Sequence, residues 1–275
     1  MPGKYDSRNK LNDLTGKEWL LSTKSYWFSQ KTKDDKFAFQ HPAPYLIKDI
    51  ERLIALFTKS NMTVLDPFAG VGTSLVAAAN LGRRGIGIEL NKDYADLIHE
   101  RLGLLGILEG QTVINGDSFS KLDDVDLEID YCVTSPPYHN ILRNKGSGLR
   151  SSKEGFRTGS RQGTEYYSED SADLGNQESY ETFLNLLQSI MKKVFAKLRS
   201  GAYSTIVISD FTVDKKEVNV QSDIVRIMTD IGFTFEGTIV LLQDNKPLYP
   251  FGYPYAYKIN HHHQNLINFR KPKTI

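Results

Sequence analysis

One short segment constrains the fold more than any other part of the chain. The apolar run Val64–Asp66 is followed by the turn Pro67–Gly72, and a helix is predicted to begin at Thr73. Because glycine has no Cβ, a ligand can lie directly against the backbone of Gly70 and Gly72. Free N–H groups at the start of the helix add hydrogen-bond donors. This arrangement suits a nucleotide-containing ligand, although the glycines alone are equally compatible with a structural turn.

Two further apolar runs end in an acidic residue, as the first one does at Asp66. They are Arg84–Glu89 and Gln111–Asp117. The alternation of such runs with helical patterns predicts a parallel sheet, and the carboxyl ends of its strands face the ligand crevice. A carboxylate at the position of Glu89 is suited to accept both hydroxyl groups of a ribose. The acids therefore favour an adenosine-containing ligand over a plain turn.

A fourth apolar run, Asp130–Thr134, leads into Ser135-Pro136-Pro137-Tyr138. Two prolines fix φ twice and remove two backbone donors, and Pro136 holds Ser135 in an extended conformation. The turn is expected to present the Ser135 side chain and the Pro136 carbonyl as acceptors for the hydrogens of an exocyclic amino group. Tyr138 is suited to stack on a base that has swung out of the double helix.

The glycine loop Asp66–Thr73 and the turn Ser135–Tyr138 together resemble the two motifs of the amino-group DNA methyltransferases that use S-adenosylmethionine. The resemblance extends from about Trp19 to Lys271. In that family, serine at the first position of the second motif is more frequent among N(4)-cytosine enzymes, and Asp or Asn among adenine enzymes. The resemblance implies a Rossmann-like α/β fold, with a mostly parallel seven-stranded sheet and helices on both faces.

The resemblance also implies a set of site residues. The catalytic residues are Ser135, Pro136, Pro137 and Tyr138. The cofactor-binding residues are Phe39, His41, Pro42, Ala43, Asp66, Pro67, Phe68, Gly70, Gly72, Thr73, Glu89, Leu90, Asp117, Ser118 and Phe119. Within this set, Asp117 is expected to contact the adenine amino group, and the residues around His41 are expected to line the methionine end of the cofactor.

A basic loop follows the catalytic turn. Residues 139–164 carry a net charge of about +5, whereas the whole chain carries +1. A flexible basic loop at this place suits contacts with DNA phosphates, although an ordinary solvated loop is the simpler alternative. The predicted DNA-binding residues are Arg143, Lys145, Arg150, Lys153, Arg157 and Arg161. The acidic stretch 165–173 that follows is interpreted as a linker.

Two aromatic segments are further candidates for recognition of the target. Gly16–Phe28 combines aromatic residues with Lys17 and Lys24, a mixture that suits phosphate contacts and base stacking. The simpler interpretation is that its tryptophans pack on the domain. Tyr249–Tyr257 is too rich in proline for regular structure. It either lines the base pocket and recognises the target or packs as a surface loop.

Length and composition bound what the chain can be. Its 275 residues suit one methyltransferase domain, 1–275, with an amino-terminal extension at 1–40 and the basic flexible loop at 139–175. Cys132 is the only cysteine and lies inside a predicted strand, which argues against carbon-5 cytosine methylation through a cysteine nucleophile. No residue cluster has metal-site spacing, so we expect no metal. The absence of a membrane-spanning pattern favours a cytoplasmic location with no membrane partner.

The sequence therefore predicts a site-specific enzyme that methylates the N(4) amino group of cytosine in double-stranded DNA, with S-adenosylmethionine as the methyl donor. N(6)-adenine methylation is the nearest alternative, because serine in the Ser135 motif is a preference and not a rule. RNA guanine methylation is a weaker alternative. A non-catalytic DNA-binding protein on the same fold is the alternative of a different class. The recognised bases and a cognate restriction endonuclease as partner are left open.

Overall fold

The computed structural model describes residues 3–37, 45–139, 170, 173–213 and 216–273. Helices and strands alternate through most of these ranges. In chain order the elements are α1 (Gly16–Ser22), β1 (Tyr26–Phe28), α2 (Ile47–Phe57), β2 (Thr63–Asp66), α3 (Thr73–Asn80), β3 (Arg84–Glu89), α4 (Lys92–Leu104), β4 (Gln111–Asn115), α5 (Ser118–Lys121), β5 (Ile129–Thr134), α6 (Tyr180–Lys197), β6 (Leu198–Ile208), β7 (Phe211–Val213), β8 (Lys216–Val218), α7 (Val220–Ile231), β9 (Thr234–Leu242) and β10 (His263–Arg270).

The central sheet of the described residues has the strand order β1-β9-β10-β6-β5-β2-β3-β4. Neighbouring strands are parallel except around β10, which is antiparallel to both β9 and β6. The predicted Rossmann-like α/β fold is confirmed. The predicted number of seven strands is corrected to eight, because Tyr26–Phe28 pairs with the end of β9 and buries Trp27 at the edge of the sheet.

Helices cover both faces of the sheet, as predicted. On one face α2, α3 and α4 contribute buried side chains such as Leu53, Leu75 and Ile98. On the other face α6 and α7 contribute Phe183 and Ile224, among others. Each face of the parallel strands is therefore buried, which explains their nearly continuous apolar sequences.

The short helix α3 approaches the sheet closely because the facing residues are small. A Cβ on Gly87 of β3 would lie 2.7 Å from Leu75 Cδ1 and 2.9 Å from Ala69 Cβ. Ala77 and Ala78 of the helix are fully buried. This packing holds the beginning of α3 against the carboxyl ends of the strands.

Two element boundaries are set by a capping side chain and by strand pairing. Asn91 caps α4, since its side chain accepts a hydrogen bond from the Asp93 amide at 2.9 Å. Strand β6 begins at Leu198, because the chain pairs with Ile129 of β5 as soon as α6 ends. Within the described ranges, no helix combines the length and the apolar character that crossing a bilayer requires.

Candidate active site

An open cleft lies at the carboxyl edge of the parallel strands. It is lined by residues of both predicted sets, which the sequence separates by up to 71 positions. The predicted residues that line it are Pro67, Phe68, Gly70, Glu89, Leu90, Asp117, Ser118, Ser135, Pro136, Pro137 and Tyr138. The fold therefore brings the carboxylates of two strand ends and the Ser-Pro-Pro-Tyr turn to one cavity.

Glu89 joins the end of β3 to the glycine loop. Its Oε2 accepts a hydrogen bond from the Gly70 amide at 2.7 Å, and its Oε1 accepts one from the Asn91 amide at 2.8 Å. Burial raises the pKa of the Glu89 carboxyl to about 7, against the opposing effect of the two amides. A carboxylate with both oxygens near the cleft is suited to accept the two hydroxyl groups of a ribose.

Asp66 lies behind the glycine loop and not in the cleft lining. Its carboxylate is 1% exposed and accepts hydrogen bonds from Ser74 and Thr134, both at 2.6 Å, and from the Phe68 amide at 3.1 Å. The Tyr45 hydroxyl donates to the same group at 2.5 Å. Burial raises the pKa of Asp66, and the four donors offset part of that effect. In this structure Asp66 connects the segment before α2 with α3, β5 and the loop.

Gly72, Thr73 and Phe119 also lie outside the cleft lining. Gly72 has a φ of +75°, and a Cβ there would lie 2.7 Å from Ile98 Cγ2, so this glycine allows α4 to pack on the loop. The Thr73 hydroxyl accepts a hydrogen bond from Arg101 at 3.2 Å. Phe119 is 41% exposed, and the Lys193 ammonium lies 4.1 Å from its ring centroid.

Asp117 and Ser118 form the third side of the cleft. The Asp117 carboxylate caps α5 by accepting hydrogen bonds from the amides of Phe119 at 3.1 Å and Ser120 at 3.0 Å. The Ser118 hydroxyl donates to the carbonyl of Pro67. This bond ties the start of α5 to the loop that follows β2, so the residues on this side are held together by hydrogen bonds.

The Ser-Pro-Pro-Tyr turn directly follows β5. Ser135 is half-buried, and Tyr138 is 7% exposed. The Tyr138 ring meets Phe211 edge to face at 5.5 Å between centroids. Its hydroxyl accepts hydrogen bonds from the Ser209 amide at 3.2 Å and from Gln264 Nε2 at 3.5 Å. Residues that follow β6 or belong to β10 therefore hold the tyrosine at the cleft.

Sequence reasoning missed five residues of the cleft lining, namely Ile88, Tyr94, Asp173, Leu174 and Ile190. The interpretation of the acidic stretch as a linker is wrong at its end. Asp173 is 3% exposed and accepts a hydrogen bond from the Gly175 amide at 2.8 Å, which caps a short 3₁₀ turn against the cleft. The usable signal was Leu174, an apolar residue shortly before the strongly amphipathic α6.

Some predicted residues lie outside the described residues. Of the cofactor set, these are Phe39, His41, Pro42 and Ala43. All the predicted DNA-binding residues are among them too, namely Arg143, Lys145, Arg150, Lys153, Arg157 and Arg161.

The cysteine and the two tryptophans singled out in the sequence lie in described segments. Cys132 is fully buried in β5, and burial raises the pKa of its thiol, which opposes formation of a nucleophilic thiolate. Trp27 is buried against the Arg52 guanidinium at 4.0 Å, whereas Trp19 is exposed. In the part of the chain that the structure describes, no group of three or more His, Cys, Asp or Glu side chains is arranged to hold a metal ion.

Comparison with known proteins relates the first hundred residues to one family. Residues 1–100 match the model of the N6_N4_Mtase family, described as DNA methylase. Over these residues the chain is similar to the amino-group DNA methylases. The match includes the glycine loop and Glu89, and Ser135–Tyr138 lie beyond it. S-adenosylmethionine is the cofactor of this family, and the cleft fits it through the bare backbone at Gly70 and the Glu89 carboxylate.

Curated relatives resemble the chain over a similar length. It is 40% identical over 99 residues to the "Type II methyltransferase M2.DpnII" of Streptococcus pneumoniae, a match that covers 36% of this chain and 35% of the relative. It is 44% identical over 73 residues to the "Orphan methyltransferase M.BamHII" of Bacillus amyloliquefaciens, covering 26% and 28% of the two chains. The chain thus matches only about a third of the length of these relatives.

Solved structures resemble the chain over most of its length. TrmN from Thermus thermophilus superimposes with a TM-score of 0.55 at 16% identity, covering 87% of this chain and 52% of that one. A structure described as a putative rRNA-methylase from Clostridium thermocellum gives a TM-score of 0.51 at 11% identity, covering 83% and 97%. At such low identity these likenesses establish the fold, and they carry no argument about the substrate.

Proposed function

We propose that the chain transfers a methyl group from S-adenosylmethionine to the N(4) amino group of cytosine in double-stranded DNA. One observation carries the proposal. A single cleft is lined both by Glu89 and Asp117 and by the turn Ser135–Tyr138. A donor bound along the strand ends would thus lie beside a base held by the turn, and proximity and orientation supply much of the rate of such a transfer.

The cofactor residues divide into two groups in this proposal. The Glu89 carboxylate accepts hydrogen bonds from the ribose hydroxyls, and the Asp117 carboxylate accepts one from the adenine amino group. The backbone at Gly70 allows the cofactor to approach closely. Asp66 acts as a positioning residue, because its four donors hold the loop that carries Gly70. S-adenosylmethionine supplies an electrophilic methyl group on a sulfonium. Proximity of that methyl group to the target nitrogen makes a covalent enzyme intermediate unnecessary.

The catalytic residues prepare the amino group. An exocyclic amino nitrogen is a poor nucleophile, because its lone pair is conjugated with the ring. Acceptance of its two hydrogens by Ser135 Oγ and the Pro136 carbonyl draws the nitrogen toward tetrahedral geometry and frees the lone pair. Tyr138 contacts the extruded base, and the hydrogen bonds to its hydroxyl keep the ring in place. The basic loop, with Arg143 and Arg157 among its residues, contacts phosphates of the DNA.

Serine at position 135 favours cytosine, since this form of the motif is more frequent among N(4)-cytosine enzymes of the family that the chain resembles. N(6)-adenine methylation is the second candidate, and the family description covers both reactions. The deciding experiment is mass spectrometry of nucleosides from the DNA of a methylation-free host that expresses the chain. N(4)-methylcytosine supports the proposal. N(6)-methyladenine overturns the choice of base. If the folded protein yields neither product, the proposal of DNA methylation in that host is overturned.

A further inference from the structure

We propose that Leu248–Ile259, here called the tyrosine loop, stacks on bases of the DNA that surrounds the target base. The inference rests on the function proposed above and identifies the surface that contacts the substrate. The loop lies between β9 and β10. The aromatic side chains that concern the proposal are Phe251, Tyr253, Tyr255 and Tyr257.

These rings point away from the protein. Tyr253, Tyr255 and Tyr257 are 81%, 93% and 88% exposed, and Phe251 is 52% exposed. The structure therefore does not support the interpretation of this segment as a packed surface loop. Four exposed aromatic side chains within seven residues are unusual in a folded protein and mark a site of interaction.

The loop has an ordered backbone despite its exposure. The amides of Tyr255 and Ala256 donate to the Gly252 carbonyl at 2.8 and 2.7 Å. The Asn260 side chain accepts a hydrogen bond from the Tyr249 amide at 3.0 Å and donates to the carbonyl of the same residue at 2.9 Å. Because these bonds already order the chain, less conformational entropy is lost when the rings bind a ligand.

The root of the loop lies at the same sheet edge as the catalytic turn. Strand β9 ends and β10 begins at the edge where β5 and β6 end. Gln243 Nε2 donates to Gln264 Oε1 at 3.1 Å, and Gln264 Nε2 donates to the Tyr138 hydroxyl at 3.5 Å. Gln243, which precedes the loop, is thus linked to Tyr138 through two successive hydrogen bonds. DNA with its target base at Tyr138 would have neighbouring nucleotides within reach of the loop.

The charge of the segment favours a nucleic acid over another protein. The sequence between Asp244 and the end of the chain contains no acidic residue, and Lys246 and Lys258 flank the tyrosines. Aromatic rings that stack on bases, together with cations that contact phosphates, are the composition of single-strand binding surfaces. DNA is therefore the occupant that this surface fits.

The test compares two triple variants by fluorescence anisotropy. One carries Tyr253→Ala, Tyr255→Ala and Tyr257→Ala, and the other carries phenylalanine at the same positions. The probes are a fluorescein-labelled mixed-sequence oligonucleotide, single-stranded and as a duplex. The alanine variant should bind the single strand about tenfold or more weakly, because base–aromatic stacking is lost. The loss on the duplex should be smaller, because its bases already stack on one another.

The controls separate stacking from folding. The phenylalanine variant should retain the affinity for DNA, since it keeps the rings. Leu108→Ala, at an exposed apolar residue before β4, should also retain it. Calorimetric affinity for S-adenosylhomocysteine should be the same in all variants and would show that the fold is intact.

Two results would overturn the proposal. One is wild-type DNA affinity in the alanine variant. The other is an altered oligomeric state in sedimentation with DNA affinity unchanged, which would identify a surface for a second copy of the chain. Loss of DNA affinity in the alanine variant of a chain that methylates no DNA would support the loop proposal while refuting the proposed function.

Discussion

The cleft has a Glu89 side, formed by strand ends and the glycine loop, and a Tyr138 side, formed by the Ser-Pro-Pro-Tyr turn. The two sides differ in which contacts hold their residues in place. On the Glu89 side, the Glu89 carboxylate accepts hydrogen bonds from Gly70 and Asn91, which lie 19 positions before it and 2 positions after it. On the Tyr138 side, the hydroxyl of one tyrosine is held by Ser209 and Gln264, which follow it by 71 and 126 positions. Local motifs therefore identify the first side, and only the sheet topology assembles the second.

The largest effect that would test this comparison is expected at Ser135. Ser135→Ala removes one acceptor of the amino hydrogens, and single-turnover methyl transfer should fall by about 100-fold, as when one preorganised polar group is removed elsewhere. Affinity for S-adenosylmethionine should not change. Ser189→Ala, at an exposed serine of α6, is the matched control. A wild-type rate for Ser135→Ala would remove the side chain from the mechanism.

The next largest effect is expected on the Glu89 side. Glu89→Gln replaces a charged acceptor by an amide, and affinity for S-adenosylmethionine in calorimetry should fall about 10- to 100-fold. The rate at saturating cofactor should change less. Glu100→Gln, at an exposed residue of α4, should bind the cofactor as the wild type does. Equal affinity in the two variants would show that Glu89 does not contact the ribose.

The pKa of Glu89 predicts a pH dependence of cofactor binding. Burial raises this pKa to about 7, so the carboxyl is increasingly protonated below that pH and can no longer accept from both hydroxyls. Between pH 8 and pH 6, the affinity of the wild type should fall about tenfold. The affinity of Glu89→Gln should be nearly constant over the same range. A parallel fall in both proteins would assign the dependence to another group.

The smallest effect is expected from the hydroxyl of Tyr138. Tyr138→Phe keeps the ring but removes the acceptor of the Ser209 and Gln264 hydrogen bonds. Methyl transfer should slow only about threefold, because the ring still packs on Phe211 and the two neutral hydrogen bonds each contribute little. Tyr5→Phe, which removes the hydroxyl of an exposed tyrosine distant from Tyr138 in the sequence, is the control. A loss as large as that of Ser135→Ala would mean that the hydroxyl itself contacts the substrate.

Much of the fold could be predicted because it depends on local patterns. Apolar runs that end in Asp66, Glu89 and Asp117 correspond to strands or strand ends, and the run Asp130–Thr134 corresponds to β5. The eighth strand was missed because Tyr26–Phe28 is only three residues long. Such a strand forms through pairing with β9 and burial of one side chain, neither of which a local pattern reveals.

Predictions for individual glycines and acids were less complete, because a motif does not tell which atoms face the ligand. Gly70 and Gly72 are equivalent in the sequence pattern, yet only Gly70 lines the cleft, whereas Gly72 accommodates Ile98. Asp66 and Glu89 both end strands, yet Asp66 is enclosed by four donors behind the loop and Glu89 lies at the cavity. Packing of α3 and α4 makes this difference.

The sequence by itself determined the family resemblance, the α/β class and the two motifs, because each depends on residue types at short spacing. Only the tertiary structure decided that Asp173 and Leu174 belong to the cleft, that Gln264 contacts Tyr138, and that the rings of the tyrosine loop are exposed. These features depend on contacts between strands that are distant in the chain. Such contacts are set by the strand order of the sheet, which no local pattern encodes.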